Sequence, residues 1–286
     1  CLIDWEITIC QSKNVFLRRW GIPSIFKISS FFIQQKNDNY LGLKYFICVL
    51  FILLFISILI VFSLNKLDYQ LKWDSVYRYR LKFFYGWLHT IAISFTALMM
   101  SLMIGFSVAF MRKSRNIILK MLSRVYVEII RSTPLLVQIL IFFYLIAAAF
   151  SLNNRYIVGI LTLSVFSGAY VSEIIRGGLD SISESQLESA KAIGLSHYQT
   201  YRFIVIPQVI KRVLPALAGQ FVSLIKDSSL LSIIAISEFT LNAQEVNSYT
   251  YSTLESYIPL AFGYFILTFP ISLVSAYLEK KTNYAS

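Results

Sequence analysis

Long uncharged stretches alternate with short charged ones along the chain, and the stretches set its architecture. An apolar run of about 20 residues, rising roughly 1.5 Å per residue, crosses a hydrocarbon core of roughly 30 Å. Six runs qualify: residues 45–64, 88–111, about 125–150, about 156–177, 213–237 and 256–278. The first is unbroken, and the second carries only His89 near one end. The third holds Glu128 and Arg131 in its first turns with Pro134 just beyond, the fifth holds Lys226 and Asp227, and the sixth contains Pro259 and Pro270. These runs are long and lack the two-residue alternation of a strand, so the pattern predicts an all-α, polytopic transmembrane helix bundle of about six spans.

Composition points the same way: 57% of the 286 residues are hydrophobic and 14% charged, with a mean hydropathy of +0.64. Soluble domains lie far from that balance. The formal net charge of +11 would suggest nucleic acid in a soluble chain, but here its placement speaks for topology and against a nucleic-acid partner. With the N-terminus inside, segments 1–44, 112–124, 173–212 and 279–286 carry eighteen Lys and Arg, against six in 65–87, 151–155 and 238–255. The positive-inside bias therefore predicts N-in, C-in. Segment 65–87 dissents, placing Lys66, Lys72, Arg78, Arg80 and Lys82 on the expected outer side. Cys1, Cys10 and Cys48 are too few for a disulfide framework or a metal cluster, and His89 and His197 are too far apart for a metal site. No signal peptide is expected, because the first apolar run starts some forty residues in. Cys1 in place of a starting Met reads as the edge of a fragment, since a lipid-modified end would lie outside and contradict the basic count.

Residues 173–212 form the longest inner connection, and cap signals punctuate them. Ser183 with Gln186 makes an S-x-x-Q capping box, opening a short helix through Glu188, Ala190 and Ile193 that Gly194 can stop in a left-handed conformation. Ser196 with Gln199 repeats the device, and Pro207 is expected to close the second helix. Composition alone also fits two amphipathic helices resting on the membrane, with Leu187, Ile193, Tyr198 and Phe203 against lipid.

The string ESAKAIGLSHYQTYRFIVIPQ, residues 188–208, resembles the EAA loop of ABC-importer permeases, whose pattern is E-A-A-x3-G-x9-I-x-L-P. Glu188, Ala190, Gly194, Ile204 and Pro207 fall on that spacing without insertion, with Leu195 after the glycine, Ser189 for the second-position Ala and Ile206 for the Leu. A pattern of this length is a strong signal. YVEIIRSTPLLVQ (126–138), AYVSEIIRGGLDSI (169–182) and SLIKDSSLLSIIAISEF (223–239) resemble the polar amino acid uptake branch of the family, with R-S-T-P where R-G-T-P is usual. The resemblance covers roughly residues 83–281. It implies a type I importer permease domain there, an N-terminal extension with the first span at 1–82 and a short tail at 282–286. It also implies a multi-pass protein of the bacterial inner membrane, whose loop between spans four and five is a coupling helix seated in a groove of a separate cytoplasmic ATP-binding subunit. ATP and Mg2+ belong to that subunit and no cofactor to this chain. A second permease, identical or paralogous, an extracytoplasmic solute-binding protein and a polar amino acid complete the set.

The residues themselves agree with a passive subunit. There is no G-x-x-x-x-G-K-[ST] loop and no Gly-Lys dipeptide, so phosphates are not cradled here and catalysis is not expected. Lys226 and Asp227 sit in span five, where a charge costs on the order of 2.5 to 3.5 kcal/mol, so both should face protein or water. Adjacent helical residues point about 100° apart, so one can line or gate the path while the other pairs structurally. Glu128 with Arg131 and Glu173 with Arg176 stand at i,i+3 spacing and are expected to form structural pairs. Pro134 removes the amide that would bond the Ile130 carbonyl, bending span three or freeing an acceptor, and Pro270 is expected to act likewise in span six. Pro215 is expected in the first turn of span five. Aromatics such as Phe142, Phe143 and Tyr144 read as lipid contact or packing. The alternative function is a self-contained, ion-coupled secondary transporter, but the paired interrupted spans such folds carry are not seen.

Overall fold

The computed structural model describes residues 41–66, 69 and 71–283. The expectations on Cys1, Cys10, the rest of residues 1–40 and the last residues of the tail lie outside the described residues. Packing separates residues 1–70 from residues 71–286.

The first unit contains helix α1, Leu41–Lys66. Its 18-residue stretch Phe46–Ser63 is long and apolar enough to cross a membrane, and none of it is buried. A helix apolar on every side suits lipid all round.

The regular structure of the second unit is all helical among the described residues. Short α2 (Trp73–Tyr77) leads into α3 (Arg80–Lys113), which the Asn116 cap separates from α4 (Ile117–Ser132). Next come α5 (Leu135–Ile141), extended by a π-helical turn at Phe142–Ala147, and α6 (Arg155–Asp180), whose N-cap Asn154 accepts from the amides of Tyr156 and Ile157. Short α7 (Glu184–Ala192) and α8 (His197–Thr200) form an elbow before α9 (Ile206–Asp227). A 3-10 turn (Ser228–Ile234), α10 (Phe239–Thr250) and α11 (Thr253–Asn283) complete the unit. Across the described residues, five helices can span a membrane by length and composition, or six if α4 with α5 counts as one bent span.

The core is the crossing of α3 and α6. In a membrane, lipid tails remove the hydrophobic drive between helices, so close van der Waals contact carries the packing. The sequence supplies it with small residues: Ser94, Ala97, Ser101 and Gly105 on α3, Ser164, Ser167 and Gly168 on α6, all buried. A Cβ on Gly105 would lie 2.4 Å from Val171 Cγ1, so any side chain there pushes the helices apart. Ile139, Leu163, Leu224 and Leu231 close the centre from α5, α6, α9 and the 3-10 turn. Val76 and Phe83 pack with Phe239, Ala243 and Val246, seating α2 and the start of α3 on α10.

The bend expected at Pro134 in the third run is present, with α4 and α5 meeting at 111°, and two other expectations are corrected. Pro134 causes the break, and the carbonyls it releases are met locally. Gln138 Nε2 donates to the Ile130 carbonyl at 2.8 Å, and Thr133 Oγ1 donates to the Ile129 carbonyl at 2.8 Å. Span five begins earlier than its charge-free run, since His197–Ile234 runs as one 38-residue rod, and Pro215 is therefore interior and buried. Pro207 does not end a helix. A π-helical stretch at Tyr201–Val205 precedes it, with the Ile206 amide bonding the Tyr201 carbonyl five residues back. That wider turn re-phases the carbonyls, so the proline sits at the start of α9 without breaking the rod. Pro259 and Pro270 likewise lie inside an uninterrupted α11.

Candidate functional site

The elbow is built by its caps. Leu195 N–H donates to the Ala190 carbonyl and Gly194 N–H to the Lys191 carbonyl, both at 3.0 Å. This paired closure needs a left-handed residue, and Gly194 has φ +80°. A Cβ there would meet nothing within 4 Å, so the requirement is conformational within this chain, and the turn faces open space. The second capping box forms as expected, with Ser196 Oγ accepting from Gln199 N–H at 3.3 Å and Ser196 N–H donating to Gln199 Oε1 at 2.8 Å. The first does not. Ser183 is the N-cap residue, but its hydroxyl bonds Ser185 Oγ at 3.1 Å, and Gln186 N–H turns to the Ser183 carbonyl instead.

The motif residues divide by exposure. Glu188, Ser189 and Pro207 are exposed, Leu195 and Ile204 are half-buried, and Ala190 is buried. Ser189, Ala190 and Ile204 line a cavity of about 340 Å³ between α7 and the start of the rod. Glu188 makes no ion pair with Arg202 among the described residues. Large apolar side chains project from the elbow: Ile193, Tyr198 and Phe203 are each about 70% exposed or more. Arg212 donates to the Ser181 carbonyl at 2.6 Å, tying the base of the rod to the end of α6. α8, the π-helical stretch and α9 are continuous, so the second helix of the elbow runs without a break into the helix that carries Lys226.

At that far end Lys226 and Asp227 part company. Ala216, Gly219, Ser223 and Lys226 are exposed and recur at three- and four-residue steps, so one face of α9 is bare, small and polar. Asp227 is half-buried on the neighbouring face. An exposed small-and-polar face in a membrane helix is unsuited to lipid.

The acidic and basic residues on α3, α4 and α6 form a network rather than two isolated pairs. Glu173 does pair with Arg176, with Nε at 3.0 Å and Nη2 at 2.9 Å. It also accepts from Arg112 and, at 3.3 Å, from Arg131. Arg176 bonds Asp180 at 2.8 Å in turn. The expected Glu128–Arg131 pair is absent among the described residues, because the long Arg131 side chain reaches across to α6 and lies over the Tyr170 ring at 5.5 Å. Glu128 is left exposed beside a cavity of about 350 Å³.

Sequence reasoning missed Glu238. It is fully buried, and its carboxylate accepts from the amides of Thr240 at 2.7 Å and Leu241 at 2.8 Å, capping α10, and from the Tyr264 hydroxyl at 3.1 Å. Burial pushes its pKa up to about 7 against the pull of those hydrogen bonds. A glutamate directly before a helical run was the available signal.

Residues 101–284 match the family described as binding-protein-dependent transport system inner membrane component. This chain belongs to that family. The permease chain is 36% identical over 196 residues to the probable glutamine ABC transporter permease protein GlnM of Bacillus subtilis, covering 68% of this chain and 91% of that one. It is 39% identical over 194 residues to the nopaline transport system permease protein NocM of Agrobacterium fabrum, covering 64% and 80%. It is 31% identical over 223 residues to the glutamate/aspartate import permease protein GltK of Escherichia coli, covering 75% and 99%. Among solved structures, a crystal structure of an amino acid ABC transporter with histidines superposes with TM-score 0.69 at 33% identity, over 74% of this permease and all of that chain. The inward-facing MetNI methionine ABC transporter shares the fold, with TM-score 0.56 at 18% identity over 71% and 97%. The permease is thus a multi-pass membrane transport subunit of the ABC importer class, and the self-contained ion-coupled alternative is set aside.

Proposed function

We propose that this permease lines the translocation path of an importer for a polar amino acid and takes its motion from a separate cytoplasmic ATP-binding subunit. The observation that carries the reading is the second elbow helix, His197–Thr200, running without a break into the helix that carries Lys226. Two short helices locked around Gly194 make a handle with little slack. A partner groove closing on Ile193, Tyr198 and Phe203 would tilt the whole rod, moving the bare face of α9 and Lys226 with it. Glu188, Ser189, Ala190, Gly194, Leu195, Ile204 and Pro207 shape and support that handle. Lys226 faces the path, where its ammonium suits a substrate carboxylate, while Asp227 works from the packed side. Arg131, Glu173 and Arg176 hold helix ends together.

A second permease, identical or paralogous, would cover the bare face of α9, and a solute-binding protein would deliver substrate on the side opposite the elbow. ATP and Mg2+ then act on the ATP-binding subunit alone. The elbow lies on the cytoplasmic side of a bacterial inner membrane, with N-in, C-in orientation. The permease domain is 83–281, to which we add residues 71–82 because Val76 packs on α10. The test is Gly194→Arg. The variant should insert and keep its thermal midpoint to within a few degrees, yet fail to co-purify with the ATP-binding subunit in mild detergent and lose ATP-driven uptake in vesicles. Retained co-purification with normal uptake overturns the assignment.

A further inference from the structure

The cavity of about 350 Å³ at the Lys113 end of α3 is lined by Arg112, Glu128, Arg131, Ser132, Tyr170 and Glu173, among others. Transport as proposed makes no use of it. Glu173 is shared by three guanidiniums, from Arg112, Arg131 and Arg176. A guanidinium carries five N–H donors. Arg112 and Arg131 each spend one on Glu173 and make no other hydrogen bond among the described residues. Glu128 lines the same cavity and has no ion-pair partner among the described residues. The cavity therefore offers spare cationic donors and an unmatched carboxylate in one lining.

Helical geometry adds a third feature. On α4, at 3.6 residues per turn, Val127, Arg131 and Ser132 share the cavity side, while Ile118, Leu122, Val125 and Ile129 make an adjoining stripe. All four of these apolar residues are exposed, Ile118 at 75%. Glu128 sits within the cavity side between Arg131 and Ser132, and Ser132 borders the stripe. A ligand that answers all three carries an anion, an ammonium a few ångströms away, and an apolar tail. We propose that this cavity binds the phosphoethanolamine headgroup of a membrane phospholipid. The phosphate takes the spare donors of Arg112 and Arg131, the ammonium pairs with Glu128, and an acyl chain runs along the Ile118–Ile129 stripe. A free amino acid matches the charges and leaves the stripe unused. A purely anionic headgroup leaves Glu128 unmatched and is repelled by it.

The test titrates the full chain, purified in mild detergent, with dihexanoyl phosphatidylethanolamine, dihexanoyl phosphatidylglycerol, inorganic phosphate and glutamine, counting bound molecules by native mass spectrometry. Phosphatidylethanolamine should bind about tenfold more tightly than each of the others, the scale of one charge-assisted hydrogen bond. Glu128→Gln should erase that preference and Glu128→Lys should turn it towards phosphatidylglycerol, both with the fold intact because Glu128 is exposed. Equal binding of the two phospholipids by the unaltered chain, displacement of phosphatidylethanolamine by glutamine, or an unchanged preference in Glu128→Gln each overturns the proposal. Since no nucleotide or uptake enters the measurement, its failure is separate from any failure of the transport reading.

Discussion

A glutamate with no exposed surface is an expensive residue to keep ionised, and Glu238 shows how the chain manages it. Two amides and a tyrosine hydroxyl hold the carboxylate, yet burial wins and lifts its pKa from the ordinary value near 4.5 to about 7. A raised folded-state pKa means the native state holds the proton more tightly than the unfolded chain. Its contribution to stability is complete below about pH 4.5 and is lost as pH rises towards about 7, a change on the order of 3 kcal/mol. The thermal midpoint in detergent should therefore fall between pH 5 and pH 8, and Glu238→Gln should flatten that slope. An equally steep slope in the variant would assign the pH dependence to other groups. Lys226 and Asp227 make the complementary case. Alanine at the exposed Lys226 should raise the apparent KM for uptake about tenfold, whereas Asp227→Asn should chiefly move the thermal midpoint; the reverse pattern would exchange their roles. Residue chemistry was legible in the sequence only where partners are close along the chain. Ser196 and Gln199 found each other, but Ser183 lost its box to Ser185 and Glu128 lost Arg131 to a glutamate on another helix. Burial of Glu238 depends on α3 and α11 arriving around it, which no local pattern reports.

The long apolar helices and their order were readable from charge spacing, because a membrane helix carries few charges along its length, whereas α2 and α10 fell in segments read as connections. Breaks in the long helices were less readable. Pro134 was visible as a breaker; what it required of its neighbours was not. The 111° corner between α4 and α5 survives because Gln138 supplies the donor that the proline lacks, bonding the carbonyls of Ile130 and Thr133 at 2.8 and 3.2 Å. Gln138→Leu keeps the size and removes the donors. It should lower stability by about 1–3 kcal/mol, read as a fall in thermal midpoint, with Gln138→Glu recovering little because an ionised carboxylate donates nothing. An unchanged midpoint in the leucine variant would mean that other groups satisfy the corner. Pro207 illustrates the opposite error: a proline reads as a stop, but a π-helical stretch upstream can absorb it.

At the scale of the whole molecule, the motif spacing was the strongest guide, since the family it pointed to is the one the chain belongs to. Within the dissenting basic segment, Lys82 pairs with Glu245 on α10. Charge neutralised by a neighbour weighs less in orientation than the bare count implies. A permease without a phosphate cradle should be inert alone: in vesicles holding only this chain and ATP, no uphill uptake should appear, and its appearance would refute the division of labour. The unbroken rod from His197 to Ile234 carries one more consequence, about arithmetic rather than chemistry. A single residue inserted anywhere between elbow and Lys226 would spin the lysine roughly a quarter-turn out of phase with the handle. Length in this stretch should therefore be as intolerant of change as any side chain, and swapping cargo preference between relatives should succeed only when the spacing travels intact.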